Sequence, residues 1–103
     1  MINVGLIGYG RYGKKYYDNL FKDKHFRVIK ILRKSKKGAN NLFTNDKKKF
    51  FKINNIDLYI IASPTTSHYE YIKTALIKKK HIIIEKPLVS KFNEFVKIKK
   101  KIE

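Results

Sequence analysis

A glycine-rich turn directly behind an apolar run is the most constraining feature of this sequence. The run covers residues 2–7, and Gly8, Gly10 and Gly13 follow it in the spacing G-x-G-x-x-G. In a dinucleotide-binding turn, the first glycine permits the bend, the second lets backbone approach a pyrophosphate, and the third lets a helix pack on the sheet. The pattern predicts a buried parallel strand, then a helix over residues 11–21 whose N-terminus faces phosphate.

The placement of this motif strengthens it, because the same glycine spacing also occurs in turns that are structural only. Apolar residues follow the turn at helical spacing, as the motif requires. They are Tyr12, Tyr16, Tyr17, Leu20 and Phe21.

The rest of the chain alternates between strand-like and helix-like segments. Further strands are predicted over residues 26–32, 42–44, 56–62 and 81–84. This order predicts an α/β, Rossmann-like, doubly wound parallel sheet of about five strands. A parallel crossover usually needs a dozen or more residues. The polar segment between the second and third strands is shorter, so the second crossover helix is expected to be shortened or missing.

Polar residues mark where the later helices should begin. Asn45 or Asp46 can cap a short helix, and Ser67 with Glu70 fits a capping box for the next one. Ser90 is expected to cap the last helix. The inward-facing residues expected in that last helix are Phe92, Phe95, Val96 and Ile102.

The end of the second predicted strand bears on cofactor choice. An acidic residue about 20 residues beyond the glycine turn usually binds the ribose hydroxyls of NAD, whereas an arginine accommodates the 2′-phosphate of NADP. Here Arg33 is followed by Lys34 and Ser35. The cluster favours NADP over NAD, although Lys34 itself is better explained as an ordinary surface charge.

Composition excludes several other classes of protein. At 103 residues the chain is one domain, long enough to bury about two thirds of its unfolded surface. It has no cysteine and only three scattered histidines, so neither disulfides nor a metal site is expected. No apolar run approaches the ~20 residues of a membrane span, and the start of the chain does not resemble a signal peptide. We therefore expect a cytoplasmic protein without membrane contact.

The formal charge of +17 raises the alternative of a small nucleic-acid-binding domain. All basic residues except Arg11, Arg27 and Arg33 are lysines, which are less suited to bidentate recognition. The lysine runs are also spread along the chain instead of gathered in one arm. A solvated lysine-rich surface explains the charge better, so no specific nucleic-acid partner is predicted.

Two further segments carry a resemblance to a known family. Beyond the glycine turn, the matching segments are residues 57–64 with His68, and residues 80–87, which end in Glu85-Lys86-Pro87. With them the chain resembles the amino-terminal domain of the Gfo/Idh/MocA oxidoreductases. The resemblance implies that Lys86 reaches the nicotinamide ribose and assists hydride transfer, and that the bond to Pro87 turns the chain.

The resemblance and the glycine turn together give a set of expected cofactor contacts. His68 could instead be a polar residue of a helix end, and Glu85 could simply pair with a lysine. The expected set is Gly8, Tyr9, Gly10, Arg11, Tyr12, Gly13, Arg33, Lys34, Ser35, Ser63, Pro64, His68, Glu85, Lys86 and Pro87.

The resemblance also implies what lies beyond these residues. Members of the family continue into a second domain that binds a sugar, polyol or nucleotide sugar and supplies acid-base groups. Residues 1–103 correspond to the dinucleotide-binding domain alone. We therefore expect a truncated or split oxidoreductase, inactive by itself, that self-associates or pairs with a separate substrate-domain chain. The alternative is a cofactor-binding or regulatory module without chemistry of its own.

Overall fold

Five parallel strands form a single sheet in the computed structural model, which describes residues 1–34, 41–84 and 91–102. The strands are β1 (Ile2–Ile7), β2 (Phe26–Leu32), β3 (Phe43–Thr44), β4 (Leu58–Ile61) and β5 (His81–Ile84). The helices are α1 (Arg11–Phe21), α2 (Lys47–Phe51), α3 (Thr65–Ile77) and α4 (Phe92–Ile102).

The strand order is β3-β2-β1-β4-β5, and every neighbouring pair is parallel. The chain first builds the sheet outward from β1 to β3 and then returns to place β4 on the other side of β1. This reversal creates a crevice outside the carboxyl ends of β1 and β4, where ligands bind in open α/β sheets. The predicted Rossmann-like fold is confirmed.

Alternating side chains of the central strands feed two apolar cores. Val4 and Leu6 of β1 point into the core that α1 covers, together with Ile31, Leu58 and Ile60. On the other face, a second core joins residues of β1, β2 and β4 to residues of α2, α3 and α4. Its buried members are Ile7, Leu32, Phe50, Ile56, Tyr59, Ile61, Tyr71, Ile72, Ala75 and Ile98. Helices on both faces make the sheet doubly wound, as expected for strands with nearly continuous apolar sequence.

The connection from β2 to β3 is described only at its two ends. Residues 33–34 and 41–42 are not helical, and residues 35–40, which include Ser35, lie outside the described residues. The short α2 follows β3. Its predicted cap is confirmed, because the Asp46 carboxylate accepts a hydrogen bond from the Lys49 backbone N–H at 3.1 Å.

The start of α3 differs from the prediction. The helix begins at Thr65 with Pro64 as its N-cap, so the capping box of Ser67 and Glu70 is wrong. The Ser67 backbone N–H already donates to the Pro64 carbonyl at 2.9 Å, and its hydroxyl donates to the same oxygen at 2.6 Å. Pro64, in an extended conformation, is therefore the N-cap, and the helix starts three residues earlier than the serine signal indicates.

The buried stripes of the outer helices are narrower than their sequences suggest. In α4 the buried residue is Ile98, whereas Phe95 and Ile102 are 43% and 68% exposed. The predicted inward orientation is wrong for these two residues. The helix α4 packs chiefly against α3, and this contact buries a narrow stripe of the α4 surface. Val96 is half-buried, while Ser90 and the side chain of Phe92 lie outside the described part. In α1, likewise, Tyr12 and Phe21 are exposed.

None of the helices within the described residues is long and apolar enough to cross a lipid bilayer.

One buried phenol gives a stability prediction. Tyr59 on β4 is 0% exposed, and its hydroxyl has no hydrogen-bond partner among the described residues. An unsatisfied buried polar group costs about 1–3 kcal/mol, so Tyr59→Phe should raise the free energy of unfolding by about 1 kcal/mol. Urea denaturation at pH 7 measures this change. Tyr12→Phe, at a residue 53% exposed, is the matched control and should change nothing.

The same substitution has a pH signature. Burial raises the pKa of Tyr59 above its ordinary value in the folded state. Above about pH 10 the unfolded chain therefore releases this proton more readily than the folded one, which destabilises the native protein as pH rises. The stability difference between Tyr59→Phe and the unmodified protein should widen above that pH, and a constant difference would contradict the assignment.

Candidate dinucleotide-binding site

Gly8 joins the carboxyl ends of three strands. It follows β1 with a φ of +95°, a conformation that side chains disfavour. Its N–H donates to the Leu32 carbonyl at the end of β2, at 2.8 Å. A Cβ added here would lie 2.7 Å from the Ser63 nitrogen, just beyond β4. Gly8 is thus required by both its backbone conformation and its close neighbours.

Gly13 lets α1 lie directly against this turn. It is buried within α1, and an added Cβ would stand 2.1 Å from the Gly8 carbonyl oxygen. The helix axis therefore begins next to the carboxyl end of β1, which fixes the position of its N-terminal N–H groups.

Gly10 is the open member of the three. It is the N-cap of α1 and is exposed, and a Cβ placed there would meet nothing within 4 Å. No side chain of the described residues caps this helix end, and its first turn has no acidic residue. The first N–H groups of a helix carry partial positive charge and need acceptors. A phosphate is such an acceptor, and the open space beside Gly10 leaves these N–H groups accessible to one.

Arg33 lies beyond the end of β2 in a cluster with two aromatic rings. Its backbone N–H donates to the Thr44 carbonyl at 2.9 Å. The guanidinium carbon Cζ lies 4.0 Å from the centre of the Phe43 ring and 5.8 Å from that of Tyr9. Lys34 is exposed beside it, and Ser35 lies outside the described residues. The structure therefore brings Tyr9 of the glycine turn and Arg33 together.

Sequence reasoning missed Phe43, which it treated only as a strand residue. The alternation of side chains along a strand was the available signal, since Arg33 and Ile31 must share a face. The pairing of Ile31 with Phe43 completes the cluster, and that register comes from tertiary structure.

The turn after β4 is held by its own hydrogen bonds. The His68 ring nitrogen Nε2 donates to the Ser63 carbonyl at 2.7 Å, and the His68 side chain is only 1% exposed. Any effect of His68 on a ligand therefore passes through this turn. The Ser67 hydroxyl donates its hydrogen bond to the Pro64 carbonyl. In the 2.7 Å contact between the Ser63 and Ser67 hydroxyls, Ser63 is therefore the donor. Ser63 can then accept a hydrogen bond from a ligand hydroxyl or amide.

The tripeptide Glu85-Lys86-Pro87 directly follows the carboxyl end of β5 in the sequence. β5 ends at Ile84, which pairs with Ile61 at the end of β4. Glu85, Lys86 and Pro87 follow and lie outside the described residues, so their place in the crevice stays a prediction.

Comparison with known proteins supplies the context for this crevice. The family model for Gfo/Idh/MocA oxidoreductases, described as an NAD-binding Rossmann fold, matches residues 2–103. The chain belongs to the Gfo/Idh/MocA oxidoreductase family. The resemblance drawn from the sequence is thereby confirmed, and the chain is an NAD-binding oxidoreductase domain of that family.

Members of the Gfo/Idh/MocA family with similar sequences are longer. The chain is 33% identical to the uncharacterized oxidoreductase YrbE of Bacillus subtilis over an alignment 101 residues long. The match covers 90% of this chain and 30% of that relative. The chain thus spans about a third of the relative's length.

Two solved structures of inositol dehydrogenases share the fold. The myo-inositol 2-dehydrogenase of Lactobacillus plantarum superimposes with a TM-score of 0.88 at 25% identity, covering 98% of this chain and 32% of that one. The scyllo-inositol dehydrogenase of Lactobacillus casei gives 0.85 at 27% identity, covering 99% and 33%.

Proposed function

We propose that this chain holds the nicotinamide dinucleotide for an oxidoreductase that acts on a sugar, polyol or nucleotide sugar. The observation that carries the proposal is a contrast among the glycines. Backbone atoms fill the space where a side chain would stand at Gly8 and Gly13, whereas that space is empty at Gly10, which lies at a helix N-terminus. Similarity to two inositol dehydrogenases supports a polyol-like substrate. The dinucleotide, when bound, would accept or supply the hydride.

The residues of the crevice divide the binding task. Backbone at Gly10 and the first N–H groups of α1 would hold the pyrophosphate. Arg33 would bind the adenosine side, and the Ser63 hydroxyl would accept from a donor on the nicotinamide side. Lys86 is proposed as the catalytic residue on the sequence resemblance.

We expect NADP to bind more tightly than NAD, since Arg33 stands at the end of β2. A hydrogen bond to a charged group contributes about 1.5–3 kcal/mol, so Arg33→Gln should lower the preference for NADP by about 10- to 100-fold. Calorimetric titration of both dinucleotides measures this ratio. Arg27→Gln removes an exposed arginine near the start of β2, at the other end of this strand from Arg33, and is the matched control. Equal affinities for the two cofactors in the unmodified protein would contradict the assignment to NADP.

The 103-residue polypeptide should bind the dinucleotide and yet show no measurable turnover with sugars, polyols or nucleotide sugars. Oxidation of a hydroxyl requires a group that takes its proton. His25 and His81 lie at the amino ends of β2 and β5, whereas the glycine turn follows the carboxyl end of β1. His68 is buried. Groups that hold substrate and move its proton would then come from another domain or chain. Turnover of about 1 per second or more by these residues alone would refute this expectation.

The role of Lys86 can be tested in a protein that has a substrate domain. Joining the second domain of a related family member after Glu103 should produce dehydrogenase activity, which Lys86→Ala should then remove. Lys91→Ala is the control at a nearby exposed lysine. Unchanged turnover in the Lys86→Ala fusion would exclude it as the catalytic residue.

A further inference from the structure

We infer that Phe43 is a positioning residue for cofactor selection, because its ring holds the Arg33 guanidinium where a 2′-phosphate can be bound. The inference rests on the proposed dinucleotide function and extends it to a residue outside the glycine turn and outside the end of β2.

Strand register puts the two side chains on one face of the sheet. Ile31 pairs with Phe43, and Leu32 pairs with Thr44. The hydrogen bond from the Arg33 N–H to the Thr44 carbonyl continues this ladder by one residue. Side chains two residues apart along a strand share a face, so Arg33 and Ile31 lie on the face where Phe43 packs. That face is the one α1 covers, since Ile31 belongs to the α1 core.

The cluster connects this face to the glycine turn. Arg33 Cζ is 4.0 Å from the Phe43 ring centre, and the Tyr9 ring meets Phe43 edge-on at 4.9 Å between centres. Tyr9 stands between Gly8 and Gly10, so the guanidinium beside the Phe43 ring lies next to the turn proposed to hold the pyrophosphate. Contact of a guanidinium with an aromatic ring leaves its planar set of N–H donors, which can bind a phosphate in bidentate fashion.

The contact between the Phe43 ring and the guanidinium also explains why the ring should change selectivity more than overall affinity. A long side chain loses rotamer freedom when it binds a ligand, and restricting it beforehand lowers that loss. NADP has the phosphate that Arg33 would bind and NAD lacks it. Only NADP should therefore respond to removal of the Phe43 ring.

The test measures the affinities of the 103-residue protein for NADP and NAD by calorimetry. Phe43→Leu keeps an apolar side chain in the core but removes the ring, and should lower the NADP-to-NAD preference by about three- to tenfold, with NAD affinity unchanged. Phe43→Tyr keeps the ring and should retain the preference. Phe26→Leu, which removes a ring packed against the same core from β2, is the control and should also retain it.

A double substitution separates positioning from general weakening. In the Arg33→Gln background, Phe43→Leu should have no further effect on selectivity, because the group that the ring positions is gone. A preference that is unchanged in Phe43→Leu, or an equal loss of NADP and NAD affinity, would overturn the inference while leaving the dinucleotide proposal intact. Absence of dinucleotide binding by the unmodified protein would instead overturn both.

Discussion

Gly10→Val should weaken dinucleotide binding by about 100-fold or more while the protein stays folded. The valine side chain would enter the open space through which a pyrophosphate approaches backbone. Two lost hydrogen bonds to a charged group cost about 3 kcal/mol or more, which corresponds to about two powers of ten in affinity. Gly10 has φ −82° and ψ −151°, so its backbone is extended with a negative φ and valine is not forced into the left-handed region.

Folding should change little in this variant because nothing lies within 4 Å of the added Cβ. Loss of a favourable N-cap glycine costs up to about 1 kcal/mol. Fluorescence titration with NADPH measures binding, and thermal unfolding checks the fold. Asn19→Val adds the same side chain at an exposed site near the other end of α1 and should bind normally. A folded Gly10→Val protein with normal affinity would show that the turn is only structural.

Gly13→Ala should have the opposite profile, with a large loss of stability. The new methyl group would lie 2.1 Å from the oxygen and 2.7 Å from the carbon of the Gly8 carbonyl. Both are backbone atoms that cannot rotate away, and overpacking of this kind costs about 3 kcal/mol. The gain in helix propensity returns only about 1 kcal/mol. The net loss of about 2 kcal/mol should lower the melting temperature by about 9 °C.

Gly10→Ala is the matched control for this clash. The same methyl group enters open space there, so its melting temperature should stay within about 5 °C of the unmodified protein. Equal melting temperatures for Gly13→Ala and the unmodified protein would mean that α1 can move off the turn without cost, and that Gly13 is not required for close packing.

Features governed by nearby residues could be predicted from the sequence. The glycine turn depends on steric limits that act within a few residues, and its consequences for Gly8 and Gly13 follow from those limits. The strands were recognisable because a parallel sheet buried on both faces needs continuous apolar runs. The Asp46 cap likewise depends only on its distance along the chain from Lys49.

Features governed by tertiary packing could not be predicted in the same way. The start of α3 is set by the turn at Pro64, whose carbonyl accepts from both the backbone and the side chain of Ser67. In α4 the helical period allowed several apolar stripes, and contact with α3 selected the one containing Ile98. The Phe43 ring meets Arg33 only because β3 pairs with β2 in one register.

Titration of the unmodified 103-residue protein with NADPH and NADH tests whether the crevice beside Gly10 binds a nicotinamide cofactor. Saturable binding of one molecule per chain is predicted, tighter for NADPH than for NADH and competed by adenosine 2′,5′-bisphosphate. Failure of both dinucleotides to bind at about 1 mM, a concentration equivalent to only about 4 kcal/mol of binding free energy, would contradict the claim that this crevice holds a nicotinamide cofactor.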